Sequence, residues 1–208
     1  EAGTHYTDAG AKWNDTVDGN GTADANGTVD HNTPGTYIIT YSFTDSSGNS
    51  AIDTNRTINV VDTTPPVITI IGDANLTHLA STTFIDQGAN WTDLVDGNGT
   101  ADANGTVDQN TPGTYQIIYS VTDSSGNQAQ QVTRTIHVVD SDAPVITLIG
   151  DANITLEAGT HYTDAGAKWN DTVDGNGTAD ANGTVDHNTP GTYIITYSFI
   201  DSSGNSAI

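Results

Sequence analysis

The chain is dominated by an internal repeat. Residues 61–69 read V-D-T-T-P-P-V-I-T and residues 139–147 read V-D-S-D-A-P-V-I-T, so that Asp62 and Asp140 stand 78 residues apart. In both copies proline separates two runs of β-branched residues. Because proline fixes φ and lacks an amide donor, one strand must end there and another begin. The repeat therefore predicts small tandem domains that meet at acidic, proline-bearing joints.

The same period divides the chain into three predicted domains. Residues 1–52 match the last 52 residues at every position except one, and the middle copy has diverged from both. We expect the chain to be a segment of a longer polymer. The predicted domains are 1–61, which lacks its first strand, 62–139, which is complete, and 140–208, which lacks its last strand.

Strand patterns are clear at both ends of the complete repeat. Residues 67–71 form one β-branched run, and residues 114–122 alternate, with Tyr115, Ile117 and Tyr119 on one face, as expected for a central strand with one buried face. No stretch sustains the helical period of 3.6 residues. About seven short strands per repeat, separated by turn residues, predict an all-β chain of tandem immunoglobulin-like β-sandwich domains in a linear array.

The charge of the chain limits its partners. Acidic residues outnumber Lys and Arg by 26 to 4, the formal net charge is −22, and there is no cysteine. This charge argues against nucleic acid or an anionic membrane surface as a partner and favours cations. Because disulfides are absent, the small domains need another cross-link to stabilise them, and a bound metal ion is the obvious candidate. No run of eighteen apolar residues occurs, so no membrane contact is expected in this segment.

Several motifs together resemble a known family. They are D-T-T-P-P-V-I-T-x-x-G, V-D-G-N, P-G-T-Y-x-I-x-Y, D-S-S-G-N and T-I-x-V-V-D, and they cover the whole chain. At this spacing they resemble the tandem immunoglobulin-like repeats, cadherin-like and HYR-like, of large bacterial and archaeal cell-surface proteins. The resemblance implies domains stacked end to end in the stalks of adhesins, surface-layer proteins and filaments, with calcium at the joints.

Chain direction predicts which residues gather at each joint. The last strand of a domain ends at the C-terminal joint of that domain. The turn that precedes this strand therefore lies at the N-terminal end of the domain. Asp123 should therefore face Asp62. By the same reasoning, Asp201 and Asn205 should approach Asp140 and Asp142. The linker and the turn together offer the oxygen ligands that Ca²⁺ prefers. The alternative is that these side chains only cap their own turns. The predicted calcium ligands are Asp45, Asp62, Asp123, Asn127, Asp140, Asp142, Asp201 and Asn205.

A second acidic stretch, residues 15–30, has carboxylates at short intervals and several glycines. It lacks the bidentate glutamate and the flanking helices of an EF-hand. A calcium-binding loop and a simple β-hairpin with Asn-Gly turns are both compatible with its pattern.

Twelve asparagines stand two residues before a threonine, the pattern of N-glycosylation acceptors. Glycans at these sites would limit sideways association of strand edges. The alternative is that threonine is simply common in strands. The predicted acceptors are Asn14, Asn20, Asn26, Asn55, Asn75, Asn90, Asn98, Asn104, Asn153, Asn170, Asn176 and Asn182.

Four of the six histidines are two repeat positions that occur in the first and third copies only. Because the middle copy lacks them, no histidine site common to all repeats is expected, and Ser-His-Asp catalysis is not indicated. The four are His5, His31, His161 and His187.

Arg56 and Arg134 share one repeat position in a strand, at the same parity as the apolar residues around them. A guanidinium on an inward face needs a partner, and Asp8 and Asp86 are the candidate carboxylates. The alternative is a β-bulge that turns each arginine outward.

These features favour a structural, non-enzymatic function. The expected protein is extracellular, at the cell surface, where calcium-stiffened and glycosylated domains form the shaft of a filament, sheath or adhesin. Its partners are neighbouring repeats or subunits of the same protein, joined end to end. The alternative is a glycan- or protein-binding module of a surface adhesin, or a surface-layer component. Tryptophan recurs at one repeat position, as scaffold residues do, which favours the structural function.

Overall fold

The computed structural model describes residues 1–207, and every regular element in that range is a β-strand. These residues contain no helix able to span a membrane. The strands are β1 (Lys12–Asp15), β2 (Gly19–Thr22), β3 (Asp24–Asn26), β4 (Gly35–Ser42), β5 (Thr54–Val60), β6 (Val67–Ile70), β7 (Asn75–Leu79), β8 (Ala89–Asp93), β9 (Gly97–Thr100), β10 (Asp102–Asn104), β11 (Gly113–Ser120), β12 (Val132–Val139), β13 (Val145–Leu148), β14 (Ala167–Asp171), β15 (Gly175–Thr178), β16 (Asp180–Asn182) and β17 (Thr196–Ser198).

Two compact units make up the chain, and both are discontinuous in sequence. The first unit comprises Glu1–Ile71, Gly88–Ala103 and Tyr119–Val132. The second unit comprises Gly72–Gln87, Asn104–Ile118 and Thr133–Ile208.

Three antiparallel sheets lie in the first unit. β1 and β2 form a hairpin, β4 lies between β3 and β5, and β8 lies between β6 and β9. Alternation along β4 directs Ile39 and Tyr41 inward, where both are buried. Ile68 of β6 and Ala89 of β8 are also buried, so the unit has its own apolar interior.

A four-stranded sheet in the order β10–β11–β12–β7 lies mostly in the second unit. β7 and β12 pair in parallel, with Leu76 opposite Ile136. Alternate residues of β12, namely Arg134, Ile136 and Val138, are buried. The remaining sheets of this unit are β13–β14–β15 and the pair β16–β17.

The predicted all-β class is confirmed, and residues 62–139 contain the seven strands β6 to β12. The alternating stretch forms β11, in which Tyr115 is half-buried and Ile117 and Tyr119 are buried. β11 lies between β10 and β12, as predicted for a central strand. The division of the chain after residues 61 and 139 stays a prediction.

The acidic stretch forms a hairpin in every repeat, but the predicted Asn-Gly turn is wrong. In β1–β2, Asp15 Oδ1 accepts the backbone N–H groups of Val17 at 2.7 Å and Asp18 at 2.8 Å. Gly19 follows with φ 87°, and Asn20 lies in β2. The turn forms before the Asn-Gly pair because one aspartate satisfies two turn amides at once.

Both strand arginines are paired with the predicted aspartates. Arg56 Nη1 contacts Asp8 Oδ1, and Arg134 Nη1 contacts Asp86 Oδ1. The Arg134 side chain is 2% exposed and that of Arg56 is 36% exposed. The β-bulge alternative is therefore wrong for Arg134, which points into the interior.

Candidate metal centres

Three aspartates from distant parts of the sequence meet in the first unit. One carboxylate oxygen each from Asp62, Asp96 and Asp123 lies within 4.8 Å of the other two. Asp62 follows β5, Asp96 lies in the β8–β9 turn, and Asp123 opens the turn after β11. We call these three residues the first carboxylate cluster.

The second unit contains the same arrangement. One carboxylate oxygen each from Asp140, Asp174 and Asp201 lies within 4.8 Å of the other two. Each residue stands 78 positions after its counterpart in the first cluster. We call these residues the second carboxylate cluster. Because the two clusters are repeat copies, the same local structure brings the carboxylates together twice.

The turn at Asp123 is held by hydrogen bonds to its own carboxylate. Oδ1 accepts the backbone N–H groups of Ser125 at 3.0 Å and Asn127 at 2.7 Å, and Oδ2 accepts Asn127 Nδ2 at 2.8 Å. Asn127 Nδ2 also donates to the backbone carbonyl of Asp62 at 3.3 Å. Asn127 therefore ties the turn to the residue that follows β5. The same contacts recur in the second unit among Asp140, Asp201, Ser203 and Asn205.

The third member of each cluster comes from the hairpin turn. Asp93 Oδ1 accepts the backbone N–H groups of Val95 at 2.7 Å and Asp96 at 2.9 Å, which fixes the turn. The copy in the second unit uses Asp171 Oδ1 in the same way, and Asp174 Oδ2 there also accepts the N–H of Ser202 at 2.9 Å. The hairpin thus contributes both a turn-capping aspartate and a cluster aspartate.

Several carboxylate oxygens in and beside the clusters are buried without a hydrogen-bond donor among residues 1–207. Asp62 is 8% exposed and Asp171 is 7% exposed. An unsatisfied buried acceptor costs roughly 1–3 kcal/mol, and more when it is charged. One cation at the centre of the first cluster would satisfy the oxygens of Asp62 and Asp96, and one in the second cluster would satisfy that of Asp140. The five atoms are the Oδ2 atoms of Asp62, Asp93, Asp96, Asp140 and Asp171.

The aspartates that open the two turns are ionised at neutral pH. Burial raises the pKa of the Asp123 carboxyl, but hydrogen bonds from the Asn127 side chain and from the turn backbone together hold that pKa below its usual range. The pKa of Asp201 is lowered in the same way, with Asn205 as the donor. Close carboxylates repel one another, and a bound cation relieves that repulsion.

The structure separates the remaining predicted ligands from the clusters. Asp45 is half-buried and accepts hydrogen bonds within its own turn. Asp142 is exposed, and its Oδ2 lies 3.4 Å from Thr172 Oγ1. Asn127 and Asn205 adjoin the clusters through their amide N–H groups, which are donors rather than metal ligands. Whether any of these residues holds calcium stays a prediction.

Sequence reasoning missed Asp96 and Asp174 as partners of the joint aspartates. The weak strand pattern in the middle of the repeat does not fix the direction of β8 and β9, so the sequence alone does not place the acidic stretch near the joint. Pairing of β6 with β8 and of β8 with β9 sets that direction. Combining the hairpin prediction with strand order would have placed the turn beside Asp62.

All twelve predicted acceptor asparagines are exposed, and eleven of them lie in strands. Asn153 is the one outside a strand. Asn14 lies directly opposite Asn20 in the β1–β2 hairpin, and Asn170 lies opposite Asn176 in β14–β15. Exposure is necessary for a mature glycan, and all twelve sites meet that requirement.

Comparison with known proteins gives two relatives that are similar over most of the chain. Hyalin of Lytechinus variegatus is 35% identical over 190 residues, which are 83% of this chain and 35% of that protein. Hyalin of Strongylocentrotus purpuratus is 30% identical over 195 residues, which are 83% of this chain and 15% of that protein. The chain therefore spans only a minor part of the length of either relative.

One solved structure, a lipoprotein from Bacteroides thetaiotaomicron, aligns with a TM-score of 0.32 at 24% identity over 38% of this chain and 39% of that one. The family model described as bacterial surface protein, Ig-like domain, matches residues 1–60, 68–138 and 146–208. These matches confirm the resemblance drawn from the motifs and indicate an extracellular or cell-surface protein. The chain belongs to the bacterial surface Ig-like domain family and carries three tandem copies of that domain.

Proposed function

We propose that this chain is a structural, non-enzymatic part of a cell-surface filament, sheath or adhesin, and that calcium at its joints stiffens it. The observation that carries the proposal is the pair of carboxylate clusters, each built from a joint, a hairpin turn and the turn after β11 or β17. Each cluster connects three segments that are far apart in sequence. An ion bound there would cross-link those segments in a chain that has no cysteine.

Calcium suits the clusters better than other common ions. Every candidate ligand is a hard oxygen atom, and Ca²⁺ accepts six to eight such ligands in flexible geometry. Mg²⁺ demands a compact octahedron and dehydrates reluctantly. Zinc and copper prefer sulfur or imidazole ligands, and neither residue type belongs to a cluster within residues 1–207.

Glycosylation is the second part of the proposal. The exposure of all twelve acceptor asparagines supports it. Glycans on the outward strand faces would shield strand edges from pairing with other chains. The intact mass of the protein taken from its native surface, before and after glycosidase treatment, measures how many sites are occupied, and an unmodified mass would overturn this part.

A glycan- or protein-binding module is less well supported. Binding faces commonly present free aromatic rings, whereas Trp91 donates through Nε1 to the carbonyl of Thr100 at 3.2 Å and lies against Gly99. Trp13 stacks on Phe43 with ring centroids 3.9 Å apart. These tryptophans are engaged in holding their own domains together.

Thermal unfolding with calcium or with a chelator tests the stiffening role. A ligand at 100 times its Kd stabilises the folded state by about 2.7 kcal/mol, which raises the Tm of a domain of this size by roughly 10–20 °C. We expect the double variant Asp62→Asn, Asp140→Asn to lose most of that increase. The exposed Asp142→Asn is the matched control and should keep it. An equal Tm in calcium and in chelator would overturn the proposal.

A further inference from the structure

Two histidines from separate loops lie against each other in both the first and the third repeat. The rings of His5 and His31 have centroids 5.4 Å apart and an interplanar angle of 54°. The rings of His161 and His187 have centroids 5.5 Å apart and an angle of 53°. The first pair lies in the first compact unit and the second pair in the second unit, so the same geometry is formed twice.

Backbone contacts fix the two loops that carry each pair. Gly3 donates its N–H to the carbonyl of His31 at 2.8 Å, two residues before His5. Thr7 Oγ1 lies 3.3 Å from His5 Nδ1, which leaves Nε2 of His5 without a hydrogen-bond partner among residues 1–207. His31 is half-buried, and in the same range neither of its ring nitrogens has a partner. Each pair therefore offers nitrogen atoms that the protein does not use.

The histidines are not required to shape these loops. In the middle repeat Thr83 and Gln109 occupy the two positions. The backbone bond is kept there, because Ser81 donates its N–H to the carbonyl of Gln109 at 2.9 Å. The loops thus adopt the same connection with or without imidazoles, so the paired rings need an explanation other than folding.

We propose that each histidine pair binds one divalent transition-metal ion of the Zn²⁺, Ni²⁺ and Cu²⁺ class, through one nitrogen of each imidazole, with water completing the coordination. A metal–nitrogen distance of about 2.0–2.1 Å and a tetrahedral angle place two ring centroids about 5.2 Å apart. The observed separations of 5.4 and 5.5 Å agree with that arrangement. Imidazole is a common ligand for these ions, whereas carboxylate oxygens select calcium.

These sites are distinct from the carboxylate clusters. No histidine belongs to either cluster in the part of the chain that the structure describes. Metal bound at a histidine pair would join the loop around residue 5 to the loop around residue 31, and likewise near residues 161 and 187. The chain would then contain two kinds of metal staple, selected by ligand chemistry and lying at different places in each repeat.

Imidazole ¹H–¹⁵N spectra during a Zn²⁺ titration of the whole chain test this proposal, with Ca²⁺ in excess to occupy carboxylates. We expect the resonances of the four paired histidines to shift together and to saturate at two Zn²⁺ per chain. His78 and His137 are internal controls, because neither has a histidine neighbour among residues 1–207. Equal shifts of all six histidines, or none, would overturn the proposal.

The variant His5→Thr, which copies the middle repeat, separates the two sites. We expect the response of His31 to require at least tenfold more Zn²⁺, while His161 and His187 respond as before and show that the chain is folded. His161→Thr should give the mirror result. An unchanged response of His31 in His5→Thr would show that the pair does not act as one site.

Discussion

At the residue scale, the two strand arginines show how burial changes the contribution of an arginine–aspartate ion pair to stability. Arg134 and Arg56 both pair with an aspartate, but the Arg134 side chain is 2% exposed and the Arg56 side chain 36%. Arg134 Nε also donates to the carbonyl of Asp73 at 3.1 Å. Solvent screens the Arg56 pair and not the Arg134 pair, so the two aspartates should differ in their contribution to stability.

Asp86→Ala removes the carboxylate from the buried Arg134. We expect a loss of about 3 kcal/mol in the free energy of unfolding, because a buried cation loses its counter-charge. Asp8→Ala is the matched variant at the screened pair and should cost about 1 kcal/mol or less from the charge interaction. Denaturant unfolding of both variants measures the difference, and equal losses would contradict the role assigned to burial.

The hydroxyl of Tyr197 donates to Asp164 Oδ1 at 2.6 Å, and this contact raises the pKa of Tyr197 from 10.0 to about 12. The neutral phenol is therefore favoured in the folded state. Its contribution to stability is complete below pH 10 and is lost as the pH rises from 10 towards 12.

We expect Tyr197→Phe to reduce the loss of stability over that alkaline range, as measured by denaturant unfolding at a series of pH values. Tyr193→Phe is the control, because the Tyr193 hydroxyl donates to a backbone carbonyl, that of Thr189, and not to a carboxylate. The same alkaline profile in Tyr197→Phe and in the parent chain would be evidence against the contact.

At the scale of elements, β10 is followed directly by a glycine that no other residue can replace easily. Gly105 has φ 133°, and a Cβ there would collide with the backbone carbonyl oxygen of Gln116. The same collision occurs at Gly27 and Gly183, the repeat copies. The end of β10 therefore depends on a close approach of its backbone to that of β11.

Gly105→Ala should destabilise the chain by about 3 kcal/mol, because it combines positive φ with a backbone clash. Gly126→Ala is the control, since Gly126 has φ 92° but nothing within 4 Å of its added Cβ. It should cost about 1 kcal/mol from the backbone conformation alone. The unfolding midpoints of the two variants measure the difference. If both variants lose the same stability, the backbone clash at Gly105 is not the cause.

The strands with one buried face could be predicted from sequence, whereas the hairpin geometry could not. β11 alternates at most of its positions and is bounded by turn residues, so its extent and inward face follow from period two. The β8–β9 strands read A-N-W-T-D and G-N-G-T, which have too few apolar residues to show a face. Their turn depends on the capping aspartate Asp93, which competes with the Asn-Gly pattern.

The candidate metal sites, like the fold, could be predicted only in part from the sequence. Antiparallel chain direction alone placed Asp123 beside Asp62, and the structure brings the two carboxylates together. Chain direction alone does not add Asp96, because its position also depends on the β8–β9 hairpin and on the pairing of β8 with β6. The histidine pairs could not be foreseen either, since His5 and His31 lie in loops without a periodic pattern.

At the scale of the whole molecule, the formal charge of −22 and the absence of cysteine make cations the natural stabilising partners. Dissolved salt would screen the repulsion among all 26 acidic residues. Specific calcium binding, in contrast, occurs only where several carboxylates converge. Convergence occurs at two places within residues 1–207, the two carboxylate clusters. If calcium stabilises the chain at these clusters, we expect a small, fixed number of tight calcium sites. Any further calcium binding should be weak and should be screened by salt.

Calcium binding to the whole chain, measured by calorimetry in about 0.15 M salt to screen the weak binding, tests that expectation most directly. We expect two Ca²⁺ ions per chain, reduced to one in Asp96→Asn and to one in Asp174→Asn, with Asp142→Asn still binding two. Binding that is unsaturable and removed by salt, or a stoichiometry unaffected by Asp96→Asn and Asp174→Asn, would contradict the account.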